Sequence, residues 1–255
     1  RDLARKHKVA TQMGNQGTAS NGMREAVEIV RAGVLGDVYE VHVWTDRPIW
    51  PQGMNRPSEN PPIPKDLHWD QWLGPAPYRP FADGYQPFKW RGWVDFGTGA
   101  LGDMACHTMN IAYMALDLNN PLSVEAEVVN DLTAESYPKS SIITWLFGER
   151  NGLRTCRMKW YDGGLKPSKD LLYGDEPGGC GLLICGSKGR LLSSSHNGDW
   201  ELLPKDRFVG FPPPAPTLPR SPGHHEEWIR ACKGEGTTMS NFDYAAGPPE
   251  TIPLG

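Results

Sequence analysis

The chain has no apolar run near the roughly 18 residues that a membrane span requires. It has no basic stripe either. Its 26 Lys and Arg are set against 30 Asp and Glu, for a net charge of −4, so a nucleic-acid partner is not expected. Cysteine is sparse: Cys106, Cys156, Cys180, Cys185 and Cys232 occur without a Cys-x-x-Cys pair. That pattern argues against a zinc site and a disulfide framework and predicts reduced, mostly buried thiols. His224 and His225 are adjacent, so their side chains diverge on a helix. With no third ligand spaced nearby, no metal is expected. The first residue is Arg1 rather than Met, and both ends read as truncated. A cytoplasmic and an exported protein fit this start equally well.

Tryptophan and proline are abundant. Six of the ten Trp (Trp44, Trp50, Trp69, Trp72, Trp90, Trp93) and ten prolines fall between residues 44 and 93. This composition predicts a long, shaped surface segment whose indoles line a ligand cleft.

The run from Gly97 to Asn110 carries the chemistry. Its first six residues fit G-x-G-x-x-G, but a dinucleotide loop follows a hydrophobic parallel strand and has an acid about 20 positions on. Here residues 88–96 are polar and aromatic, and Glu125 and Glu127 lie beyond the Leu118–Pro121 break. We therefore read Gly97, Gly99 and Gly102 as a tight turn feeding a helix over about 100–116. Asp103, His107 and Asn110 then share one face at i, i+4, i+7, with Leu101, Ala105, Thr108, Ala112 and Ala115 on a packing face. A carboxylate one turn from an imidazole can orient the ring and support its protonated form. His107 is thus the candidate base and Asp103 its orienter.

Elsewhere, residues 1–8 read as the tail of a helix entering a strand at Val9–Met13. A helix with apolar positions Met23, Ala26, Val27 and Val30 ends at Gly33. A strand at Val38–Trp44 places Tyr39, Val41 and Val43 on one face, and a short helix falls near Asp66–Leu73. After Pro121 the pattern turns to strands at Ser123–Asn130, Ser141–Phe147 and Leu153–Tyr161, with weaker ones at Gly181–Cys185, Arg190–Ser193 and Trp200–Leu203. A Pro-rich connector, 211–222, should lie over the surface. A last helix, over about 222–233, is expected with Ser221 as cap and Pro222 at its first position.

Several of these segments, in this order, resemble the glucose–fructose oxidoreductase / inositol dehydrogenase / rhizopine-catabolism (Gfo/Idh/MocA) family. They are Thr11–Gln16 with its following helix, the 32–38 turn Ala-Gly-Val-Leu-Gly-Asp-Val, Trp90-Arg91, Asp95, the glycine turn, Asp103, His107 and Asn241-Phe242-Asp243-Tyr244. The resemblance implies an α+β fold. Residues 1–20 would be the end of a Rossmann domain, and 21–255 a C-terminal substrate and oligomerisation domain with a largely antiparallel open sheet plus helices.

It implies NAD or NADP as cofactor, a sugar or cyclitol as substrate, and homo-oligomers formed through the sheet. Asp103 and His107 take the family's catalytic positions, and Trp90 and Arg91 its Trp-Arg pair near the cofactor. Asn15 and Gln16 are further cofactor-side candidates, while Trp50, Trp93 and Asn110 are substrate-side candidates. The family's nucleotide loop and Glu-Lys-Pro segment have no counterpart here, and Asn110 stands where an acid is common. This chain alone is expected to be inactive. An oxidation–elimination glycosidase and a non-catalytic sugar-binding or assembly module remain open beside the dehydrogenase.

Overall fold

The computed structural model describes residues 1–194, 196–247 and 252. Alternating apolar residues build a seven-stranded sheet from β1 (Val38–Trp44), β2 (Ser123–Asn130), β3 (Ser140–Phe147), β4 (Cys156–Tyr161), β5 (Gly181–Gly186), β6 (Arg190–Ser194) and β7 (Glu201–Leu203), in the order β2-β3-β4-β1-β5-β6-β7. Among the described residues only β1 and β4 run parallel; every other pairing is antiparallel. This is the α+β, largely antiparallel architecture that the family resemblance implies. Ile143, Trp145 and Phe147 of β3 and Cys156, Met158 and Trp160 of β4 point to one face, where they are fully or almost fully buried.

That face is covered by α2 (Asn21–Arg31), α4 (Gly99–Thr108) and α5 (Asn110–Leu116). Met23, Ala26, Val27 and Val30 of α2 enter this core as their spacing predicts. Val41 and Val43 do so too, whereas Tyr39 does not. The register of β1 against β5 shifts between Val38 and Glu40, so Tyr39 sits in a bulge and is turned outward. Among the described residues no α-helix covers the other sheet face, but it is partly roofed. The 165–173 segment lays Leu165, Leu171 and Leu172 over Trp44, Tyr161, Leu183 and Cys185.

Several expected elements differ. A short helix, α1 (Asp2–His7), is present, but Val9–Met13 is not a strand. Its polar groups bond instead to the 238–242 loop, with Met13 N–H to Ser240 O and Thr238 Oγ1 to Thr11 O. The start of β4 moves from Leu153 to Cys156, because Asn151 and Gly152 both adopt positive φ and close a tight turn between Arg150 and Leu153. The last long helix, α6, spans His224–Cys232. Its N-cap is Gly223 rather than Ser221, whose Oγ accepts the Gly223 N–H outside the helix, so the helix begins two residues later than Pro222 suggested.

Trp50, Trp69 and Trp93 of the Trp- and Pro-rich segment are buried rather than lining a cleft. Trp69 and Leu73 of α3 (Trp69–Leu73) join Phe81, Tyr85 and Trp93 in a separate aromatic core. Arg79 is buried there against Tyr85 and Phe96 and pairs with Asp95. The Pro-rich connector lies on the surface, tied to two buried charges of α2. Glu28 accepts from Thr217 and Leu218 N–H and pairs with Arg220, while Arg24 donates to Pro219 O and Glu227.

Candidate active site

The glycine turn is built for contact with its own chain. Gly99 has φ +63° and lies against the Tyr137 ring, while a Cβ on Gly102 would fall 1.9 Å from Thr98 Oγ1. The preceding residues form a 3-10 turn, Lys89–Gly92, rather than a strand. The turn leads directly into α4, which carries Asp103 and His107, both half-buried.

The expected single helix is interrupted at Met109, and two asparagine side chains account for the break. The carbonyl of Cys106 accepts from Asn15 Nδ2 at 2.6 Å, and that of Thr108 from Asn197 Nδ2. Asn197 Oδ1 also takes the Ile111 N–H at 3.0 Å. Side chains inserted into a helix ladder bend or break it.

The spacing of Asp103 and His107 suggested that the acid orients the ring directly. Their hydrogen bonds run elsewhere. Asp103 Oδ1 accepts from Arg91 Nε at 3.0 Å, and His107 Nδ1 meets Asn15 Oδ1 at 3.0 Å. Asp103 therefore acts on His107 through its field. Burial pushes the imidazole below its ordinary pKa, the neighbouring His196 lowers it further, and Asp103 works in the opposite direction.

Arg91 lies over three rings, Phe88, Trp90 and Trp50, at 4.6, 4.7 and 5.8 Å. Its guanidinium is held among these rings and beside the acid, and Trp90 stays half-exposed. Gln16, next to Asn15, is exposed. Asn15 is not: at 2% exposure, both ends of its amide are engaged.

All three substrate-side candidates are packing residues. Trp93 is fully buried and donates to Gly84 O, and Trp50 is buried with its N–H on Gln52. Neither indole face is open to a sugar. Asn110 bonds to Thr18 Oγ1 and Tyr244 O–H and is likewise closed off. Tyr244 belongs to α7 (Phe242–Ala245), so the 241–244 motif serves to fasten α5.

The residue that sequence reasoning missed is His196, whose ring centroid lies 5.5 Å from that of His107. Asn197-Gly198, right after it, is a dipeptide that favours a turn. Nothing in it said that the turn docks on the α4–α5 junction. An apolar cavity of about 450 Å³ lies on the Gly99–Gly102–Cys106 flank of α4, but neither Asp103 nor His107 lines it. Among the described residues, no group of three or more His, Cys, Asp or Glu could hold a metal ion.

The family model for the C-terminal alpha/beta domain of the Gfo/Idh/MocA oxidoreductases matches residues 22–163, more than half of the chain. The chain belongs to the Gfo/Idh/MocA family. Solved structures share its fold at low identity. The WlbA dehydrogenase of Bordetella pertussis, in complex with NADH and UDP-GlcNAcA, is 13% identical with a TM-score of 0.54, covering 97% of this chain and 60% of its own. The aldose–aldose oxidoreductase of Caulobacter crescentus, with glycerol, is 13% identical at 0.53, covering 98% and 62%. An NAD-binding oxidoreductase of Klebsiella pneumoniae is 13% identical at 0.56, covering 99% and 65%. This Gfo/Idh/MocA chain thus spans about three-fifths of the length of these structures. No curated protein matches the sequence.

Proposed function

We propose that this chain forms the substrate side of an NAD(P)-dependent oxidoreductase site acting on a secondary alcohol of a sugar, cyclitol or related glycoside. The supporting observation is the His107 imidazole on α4. It is held through Nδ1 by Asn15 and flanked by the Asp103–Arg91 pair. His107 removes the hydroxyl proton as the carbinol carbon loses hydride, and burial below its ordinary pKa keeps it neutral and ready to accept.

Asp103 stabilises the imidazolium formed, and Arg91 keeps that carboxylate in place. A nicotinamide ring, when bound, supplies the hydride acceptor. The glycines of this turn pack against Arg91, Tyr137 and Thr98, and a 3-10 turn rather than a parallel strand precedes them, so the turn lacks the setting of a dinucleotide loop. Trp90, Arg91 and Gln16 are the groups here that can meet a nicotinamide edge.

The test is an assay of the full polypeptide carrying this sequence with NAD⁺ and NADP⁺ against sugars and cyclitols deuterated at the carbinol carbon. Reduction of the cofactor with a primary isotope effect supports the reading. No reduction, and no glycoside cleavage, with any of them overturns it.

A further inference from the structure

We propose that Asn15 is a positioning residue that fixes the tautomer of His107, so that Nδ1 always carries a hydrogen and Nε2 alone exchanges the proton. The inference rests on His107 being the base of the proposed reaction, but its geometry stands independently of turnover.

An asparagine amide has one donor end and one acceptor end, and its orientation is read from its partners. Asn15 has two. Its Nδ2 lies 2.6 Å from the backbone carbonyl of Cys106, which can only accept. The NH₂ end must therefore face Cys106, and Oδ1 must face the imidazole. Oδ1 can only accept, and it lies 3.0 Å from His107 Nδ1. The bond requires a hydrogen on Nδ1. In the neutral ring the lone pair is then on Nε2, which has no hydrogen-bond partner among the described residues.

Protonation at Nε2 leaves the Asn15 bond intact, because the imidazolium also carries a hydrogen on Nδ1. The ring can take up and release a proton without changing its orientation. A neutral amide suits this role, since it orients the ring without the charge that would hold the proton on it. Cys106 immediately precedes His107 on α4, so one buried side chain, 2% exposed, grips both the ring and the helix turn that bears it. The charged and titratable groups around the ring are Asp103 one turn before it, with Arg91 behind, and His196 from the β6–β7 turn.

The tautomer can be read directly in the 255-residue chain. Long-range ¹H–¹⁵N correlation above the titration of His107 separates a nitrogen bearing hydrogen from one bearing a lone pair. His107→Gln assigns the signals. The expected result is hydrogen on Nδ1 and a lone pair on Nε2 in the wild type, and a shift of both signals toward averaged values in Asn15→Ala. Asn15→Asp should keep the Nδ1 hydrogen and raise the titration midpoint by about one pH unit or more, as a facing carboxylate does.

Hydrogen on Nε2 in the neutral wild type would overturn the proposal with no variant needed. An Asn15→Ala spectrum with an unchanged tautomer would overturn it too. An Asn15-dependent tautomer in a full polypeptide that transfers no hydride would overturn the functional reading alone.

Discussion

Arg91 Nε donates to Asp103 Oδ1 at 3.0 Å, with Arg91 at 27% and Asp103 at 29% side-chain exposure. This bond joins the 3-10 turn before the glycines to the helix after them, and it takes the acid away from the imidazole one turn on. Asp103 and His196 therefore act on His107 as opposing fields. The first favours the imidazolium, and the second, like burial, disfavours it.

A signed pair of pH profiles follows. The base works when neutral, so kcat/KM of the full polypeptide should fall on the acid side with an apparent pKa below the ordinary imidazole value of about 6.5. Asp103→Asn should move that limb lower, and His196→Gln should move it higher. Shifts of the same sign in the two variants would remove His196 from the site.

Trp93 is fully buried in the aromatic core, with its N–H bonded to Gly84 O. Trp93→Ala should cost about 3–5 kcal/mol of stability, as deletion of a core aromatic does, measured by denaturant unfolding. A stable Trp93→Ala protein with a weakened sugar KM would restore the indole as a substrate platform.

Glu28 is buried, which works against its charge. The Arg220 guanidinium and the N–H groups of Leu218 and Thr217 nevertheless hold its carboxyl down to about 2. Because the folded pKa lies below the unfolded one, the stabilisation is present at neutral pH and fades as pH falls from about 4.5 toward 2. Glu28→Gln should lower stability at pH 7 by roughly 1.5–3 kcal/mol, the range for hydrogen bonds to a charged group. Unfolding at pH 7 and pH 3 checks it: a penalty as large at pH 3 would contradict the linkage.

The sheet face without a helix layer leaves Leu146 and Thr144 half-buried beside exposed Glu125 and Glu127. We expect the chain to self-associate through this face, since apolar surface left at a sheet face is an association site. Sedimentation at micromolar concentration should show dimers or larger species, and Leu146→Glu should dissociate them without unfolding. A strict monomer would remove this interface while leaving the site on α4 untouched.

The parts of the fold legible in the sequence were those carried by periodicity. The period-2 runs at Ile143–Phe147 and Cys156–Trp160 and the helical spacing of Met23–Val30 each found the face they predicted, because burial is a local pattern. The glycine turn was legible for a similar reason: it lacked the strand that a nucleotide loop needs, and its glycines prove to be packed against their own chain.

The site was legible only along one helix. Asp103 and His107 are neighbours by spacing, but the groups that meet the His107 ring arrive from far along the chain. Asn15 comes from 92 positions away, and His196 from the turn after β6, and no local signal announces such contacts. The indoles misled for a related reason. Trp50 and Trp93 look alike as sequence, and only tertiary packing decides between a core and an open cleft.

The most direct measurement of the central claim is single-turnover hydride transfer in the full polypeptide with His107→Ala. General-base catalysis is worth roughly 10²–10⁴ in rate, so the account predicts a chemical step slowed by that factor, with substrate affinity little changed. Hydride transfer at close to the wild-type rate would contradict it.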